Sequence, residues 1–375
     1  MDTDKNKVET ATNCQYTRDF AASTSYDPIP DLAYESTYYW RVDSKIKWDY
    51  KTDPNTIIGN IWNFKTVTAL PVILTDPANT KVKATETAIF TVSYQSLSAV
   101  TGVTWHKNDG NLPADADYHV TWDQTSSTLT ISNVDAADQG TYYCDIANGG
   151  GTVSSSTALL VEKKLLAWYK FEQNLNDSAG THHGTLIGPV GGMAYPADRP
   201  GNLGDQIYSA DPNGSVYGLL STDAYPKAGF GNGLEEGAIS FWFKADATET
   251  GYILGSYNNG TTTALHIGIG TDNQVGKINV NLRDENSSAG SFAGSGTIND
   301  NQWHYAVLTL TPTGATLYTD VLDAVVRTGT MDNYAVWQYP MVLLARNQRG
   351  AIEGKFQGLV DDLKIYNYQW SQQDI

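Results

Sequence analysis

At 375 residues the chain is long enough for two or three independently cored domains. A formal net charge of −17 argues against nucleic acid or an anionic membrane as partner, because both need basic surface. Tyr 23, Trp 10 and Gly 34, with short apolar runs parted by Asn-Gly, Asp-Gly and Gly-Gly, point to an all-β protein and leave no long helical period.

The first predicted strands are Leu32–Asp43 and Gly59–Thr66, two alternating apolar/polar runs. Their Tyr-Tyr-Trp-Arg-Val and Trp-Asn-Phe-Lys-Thr sequences resemble the second half of a fibronectin type III sandwich, so residues 1–68 read as a partial module. That resemblance implies that the opening strands are missing, which would expose apolar surface and an unpaired edge beside Tyr38, Trp40 and Trp62. Such an edge is suited to accept a strand from another chain.

Residues 69–163 carry a more specific signature. Asp138-Gln-Gly-Thr-Tyr-Tyr-Cys144 has the Asp-x-Gly-x-Tyr-x-Cys spacing of immunoglobulin domains, with Trp105 upstream and Leu129–Val134 as the preceding strand. The resemblance implies a tyrosine corner at Tyr142 and a buried Trp105. It departs from the family where the first disulfide cysteine belongs, because that position is Val92. Cys144 therefore reads as a buried small apolar residue, and Cys14, the other cysteine, falls in a different predicted domain.

From residue 164 to residue 375 the pattern is that of one large sandwich. Leu166–Glu172 and Gly358–Tyr366 read as its first and last strands, with Gly237–Lys244, Gln302–Leu308, Leu317–Asp320 and Gly354–Gly358 between them. These ordered runs resemble laminin-G-like, concanavalin-type jelly rolls. The predicted architecture is thus three β-sandwich modules in tandem. The combination resembles large surface proteins of Planctomycetes-like bacteria, which implies an extracellular or cell-surface chain. Met1–Pro30 lacks the apolar core of a signal peptide, and no run reaches the roughly 18 apolar residues of a membrane span. The chain is therefore either intracellular or has lost its export signal; the partial first module and the abrupt end at Trp370–Ile375 read as those of an excerpt or processed product of a longer secreted protein.

A hydrolase of the laminarinase kind would need a Glu-x-Asp-x-x-Glu strand, whose alternate carboxylates share one face. No such run occurs, nor a His-Glu-x-x-His or Gly-x-Ser-x-Gly motif, so the expectation is a chain that is not an enzyme. The jelly-roll resemblance implies a structural Ca²⁺ where the first strand's exit loop meets the last strand. By position its ligands would be Glu172, Asp177 and Asp361, residues that also fit solvated strand-end acids. His182-His183 reads as a loop pair. Trp168, Trp242 and Trp303 read as core. For ligand binding, the loops offer rings to stack on sugar faces and polar groups for hydroxyls: Tyr257, Asn258 and Asn259, Tyr334, Trp337 and Tyr339, with Arg283 and Arg346 as forked donors. The predicted partner is a polysaccharide or surface glycan. The rival reading is a wall, sheath or filament subunit whose partners are other copies of itself.

Overall fold

A computed structural model of the protein describes residues 1–10, 32–45, 56–66, 69–189, 192–196, 207–209, 216–220, 236–257, 264–283, 290–311, 313–320, 323–328, 341–348, 351–371 and 374–375. The fold is all-β, and the chain divides into two compact units, Met1–Leu160 and Val161–Ile375.

Unit one opens with a short helix, α1 (Lys5–Thr10), for which the sequence pattern gave no sign. Strands β1 (Thr37–Trp40), β2 (Ser44–Lys45), β3 (Thr56–Ile57) and β4 (Trp62–Lys65) follow, with β1 antiparallel to β4 and β2 to β3. Register sets Tyr38 opposite Phe64 and Trp40 opposite Trp62. Tyr38 is buried against Phe64, and its hydroxyl accepts the Ala33 N–H at 3.0 Å. The Asp2 backbone exchanges hydrogen bonds of 3.0 and 2.9 Å with Tyr39 on the other edge of β1. By contrast all four residues of β4 are exposed, Trp62 by 59%.

The chain continues through β5 (Val72–Thr75), β6 (Thr80–Lys83), β7 (Ala88–Gln95), β8 (Val100–Lys107), β9 (Gly110–Asn111), β10 (Tyr118–Trp122), β11 (Ser126–Ile131), β12 (Gly140–Asn148), β13 (Gly151–Ser154) and β14 (Ala158–Lys163), the last of which crosses the boundary at Leu160. They form two sheets, β10-β11-β7-β5 and β6-β14-β12-β8-β9, with β13 beside β12. Alternation assigns the core: Ala88, Phe90, Val92 and Tyr94 from β7 meet Tyr142, Cys144 and Ile146 from β12. The Tyr142 hydroxyl donates to the Asp138 carbonyl at 2.6 Å, which makes the predicted tyrosine corner. Trp105 is buried opposite Cys144 and donates from Nε1 to Ser127 Oγ at 2.9 Å. Cys144 is a free thiol that burial pushes up to about 12, so it packs as a small apolar side chain rather than a nucleophile.

Unit two is a larger sandwich. Its strands are β15 (Leu165–Tyr169), β16 (Thr185–Ile187), β17 (Met193–Ala194), β18 (Ile207–Ser209), β19 (Tyr217–Leu219), β20 (Gly237–Lys244), β21 (Gly251–Tyr257), β22 (Ala264–Ile269), β23 (Ile278–Arg283), β24 (Gly290–Ala293) and β25 (Trp303–Thr311). There follow β26 (Gly314–Thr319), β27 (Asp323–Thr328), β28 (Val342–Leu343), β29 (Arg346–Gln348), β30 (Ala351–Glu353) and β31 (Leu359–Tyr366). An eight-stranded sheet runs β17-β18-β31-β20-β25-β26-β27, with β15 also on β31; a seven-stranded sheet runs β16-β19-β28-β21-β22-β23-β24. The predicted first and last strands do pair, β15 antiparallel to β31 with Tyr169 opposite Leu363. Between the sheets lie Ile239, Phe241 and Phe243, Leu308 and Leu310, and Leu265, Ile267, Val280 and Leu282. Each Phe or Leu so buried contributes about 1.5–3 kcal/mol.

The tryptophans expected in that core are elsewhere. Trp242 alternates with Phe241 and Phe243, so it lies on the opposite side of β20, half-buried with its ring 5.0 Å from Tyr305. Trp168 is half-buried, donates from Nε1 to Asp362, and carries the Lys170 and Lys364 ammonium groups 4.2 and 4.8 Å from its ring centroid. Trp303, the first residue of β25, is half-buried and likewise outside the inter-sheet cluster.

A polar face on the jelly roll as candidate functional site

The seven-stranded sheet turns alternate residues away from the core, and on β22 to β24 those residues are polar or small. Antiparallel register aligns them in rows. One row is Val342, Gly255, His266, Asn281 and Ser291; the next is Tyr252, Gly268, Asn279 and Ala293. A bulge in β21 lets Ile253 and Leu254 both enter the core, so Tyr252 and Gly255 both fall on the outer face.

The β22–β23 loop folds a carboxylate onto these rows. Asp272 and Asn273 adopt φ of 53° and 65°, left-handed values that Asp and Asn tolerate. Asp272 Oδ2 thereby accepts from Asn279 Nδ2 at 3.1 Å, Asn281 Nδ2 at 3.3 Å and Ser291 Oγ at 3.4 Å. Asn281 Nδ2 also donates to Ser291 Oγ at 3.1 Å, and the Thr271 hydroxyl donates to Asn279 Oδ1. The amide of Asn279 is buried, whereas Asp272 and Ser291 are exposed.

On the other flank stands Arg346. Its Nη1 donates to the Tyr252 hydroxyl at 2.7 Å, its Nε and Nη2 donate to Glu353 Oε1 at 3.0 and 2.5 Å, and its guanidinium carbon sits 4.5 Å from the Tyr252 ring centroid. The Tyr252 ring lies 5.3 Å from that of His266, and both residues are buried. Burial pushes the Tyr252 phenol up; the Arg346 guanidinium opposes this, while the nearby carboxylates of Asp272 and Glu353 add to it. Gly255 permits the arrangement, since a Cβ there would stand 2.7 Å from Arg346 Cβ. Chemically the face combines amide donors, hydroxyls and carboxylate acceptors fixed by one another, a set that matches the alternating donors and acceptors of a polyol.

Three of the predicted ligand-binding residues fall on described strands of this part of the fold. Arg346 is part of the polar face, and Tyr257 and Arg283 share a register row through Ala264, the row next to that of His266 and Asn281. Asn258, Asn259, Tyr334, Trp337 and Tyr339 lie outside the described residues. The sequence reading missed Tyr252, His266, Asp272, Asn279, Asn281, Ser291 and Glu353. One signal was available: Ile278-Asn-Val-Asn-Leu282 puts amides at every outward position of a strand.

The expected calcium ligands Glu172, Asp177 and Asp361 stand in different surroundings. Among the described residues no group of three or more His, Cys, Asp or Glu side chains is placed to hold a metal ion. Asp177 Oδ1 accepts the Trp168 and Ala179 N–H groups, each at 2.8 Å, and Oδ2 accepts the His182 N–H at 3.2 Å and lies 3.3 Å from His182 Nδ1. Burial opposes ionisation of Asp177, but these donors outweigh it and hold the carboxyl below the usual carboxylate range. Glu172 is exposed, and its carbonyl accepts from Asn174 Nδ2 at 2.7 Å. Asp361 is buried in β31 beside a bulge where Asp362 takes φ 55°, so strand alternation breaks at this pair. His182 and His183 are loop residues, as expected, with His183 Nδ1 accepting the Asp177 N–H at 3.1 Å.

Comparison with known proteins agrees with the fold. Residues 71–161 match the immunoglobulin I-set domain, and residues 222–375 match the concanavalin A-like lectin/glucanases superfamily. Similar solved structures include titin domain M7, at 28% identity over 26% of this chain and 98% of that one with a TM-score of 0.25. Titin M4 is 26% identical over 26% of this chain and 99% of that one, with a TM-score of 0.24. Domain 4 of AbnA, an extracellular GH43 arabinanase from Geobacillus stearothermophilus solved with arabinotriose, is 20% identical over 57% of this chain and 97% of that one, with a TM-score of 0.42. Among the described residues no helix is long and apolar enough to cross a membrane. The chain thus carries an immunoglobulin-like domain followed by a concanavalin A-like jelly roll.

Proposed function

We propose that the protein is a non-catalytic glycan-binding module protein of the cell surface or extracellular space, and that its jelly roll binds through the outer face of the seven-stranded sheet. One observation carries the reading: Asp272, Asn279, Asn281 and Ser291 form a hydrogen-bonded cluster on that face, beside the pinned Arg346, in a domain of the lectin/glucanase type. Side chains already held by one another lose little rotamer entropy when a sugar replaces water on them. The missing carboxylate strand supports the non-catalytic part of the reading. Retention of the full chain on a glycan array tests it, with binding of at least one oligosaccharide family expected and a blank array counting against it.

A second reading has its own support. The β1–β4 ribbon presents Trp40, Trp62 and Phe64 to solvent, which favours contact between copies of the chain. In this reading residues 1–68 are a partial fibronectin type III-like module used for assembly. Light scattering across a concentration series separates the two, since assembly predicts a rising mass that Trp62→Ser abolishes.

A further inference from the structure

We infer that Asp272 makes the polar face selective for neutral glycans, an inference that rests on the glycan-binding reading above. The described charges on this face are few. Of the side chains described there, Arg346 is the cation, and its guanidinium is already engaged by Glu353 at 3.0 and 2.5 Å, so it offers little free positive charge to an anionic sugar. The Asp272 carboxylate is exposed, and among the described residues no cation pairs with it. Three donors from Asn279, Asn281 and Ser291 converge on its Oδ2 and fix its orientation. Oδ1 accepts from none of the described groups, so it is the acceptor left for the hydroxyls of a sugar. A carboxylate can only accept, which suits the O–H donors of a neutral polyol and repels a uronate or sulfate at the same place. At a separation of about 5 Å in surroundings of intermediate polarity, that repulsion amounts to roughly tenfold in affinity or more.

The decisive variant is Asp272→Asn. Asn tolerates the left-handed φ of 53° as well as Asp does, and its amide oxygen can still accept from Asn279, Asn281 and Ser291. The full chain and this variant are measured on an array pairing neutral oligosaccharides with their uronate- and sulfate-bearing counterparts, with folding checked by melting curves. The expected result is a wild-type preference of about tenfold or more for the neutral member of each bound pair, which Asp272→Asn narrows to about twofold at unchanged melting temperature. Equal or tighter wild-type binding of the anionic members, or a preference that Asp272→Asn leaves intact, overturns the inference while glycan binding stands. An array that retains no glycan of either kind overturns both.

Discussion

Replacing Asp177 by Asn tests whether the loop after β15 is organised by hydrogen bonds to the chain itself. The carboxylate is 5% exposed and receives backbone N–H groups from Trp168, Ala179 and His182 at 2.8, 2.8 and 3.2 Å. Asn keeps one acceptor oxygen for the first two and turns an amide NH₂ toward the third, setting donor against donor. Losing one charge-assisted bond and burying an unmatched donor costs about 2–3 kcal/mol. In a unit of this size each kcal/mol moves the midpoint by roughly 2–4 °C, so the jelly-roll transition in calorimetry falls by roughly 4–12 °C. The pH dependence has a definite sign. The folded carboxyl titrates below its unfolded value of about 3.9, so its contribution is present above that value and is lost as pH falls through the folded one. The wild type therefore loses its advantage over Asp177→Asn in acid. Chelator and millimolar calcium leave both midpoints unchanged. A shift below about 1 °C, or a wild-type midpoint that calcium raises, would refute the reasoning.

Other consequences concern single contacts. His304 is clamped between Asp320 at 2.6 Å and Asp300 at 3.0 Å; burial opposes its protonation, but the two carboxylates outweigh that and raise its pKa. Its contribution is then complete below about pH 6.5 and lost as pH rises through the raised value, so His304→Gln lowers the urea midpoint at pH 5.5 more than at pH 9, and the reverse order would exclude the clamp. Tyr142→Phe removes the hydroxyl that caps the Asp138 carbonyl and costs the immunoglobulin-like unit about 1–2 kcal/mol, against which an unchanged denaturation curve would count. In a Cys14→Ser background, Cys144 resists iodoacetamide at pH 8 until denaturant is added, because burial pushes its thiol up to about 12; rapid native labelling would contradict this.

Much of the architecture was legible because alternation with period two survives wherever one face is buried. Phe90, Val92 and Tyr94 on one strand and Tyr142, Cys144 and Ile146 on its counterpart could be assigned inward from sequence alone. The same rule, applied to Phe241-Trp-Phe243, would have put Trp242 outside; lying inside a strand pattern argued for the core, and its place in the alternation decided against it. Alternation fails at bulges, which is why Asp361 and Asp362 and the pair Ile253 and Leu254 were not assignable. The candidate site was the least legible part. It takes residues from β21 to β24, from the β22–β23 loop and from β29 and β30, and only register and loop geometry, which no local pattern reports, bring Asp272 to Asn279, Asn281 and Ser291. Asp177 was recognised as special, but its donors are backbone N–H groups, which carry no sequence signature.

Glycan binding by the outer face of the seven-stranded sheet is the point on which the proposed function turns. Calorimetric titration of an array-positive oligosaccharide into wild type, Asn281→Ala and Thr316→Ala tests it directly, because Asn281 lies on that face and Thr316 lies on β26 of the eight-stranded sheet. Asn281→Ala is expected to weaken binding about tenfold, the worth of one or two hydrogen bonds, and Thr316→Ala to leave it unchanged. Undiminished binding by Asn281→Ala, or an equal loss in Thr316→Ala, would contradict it.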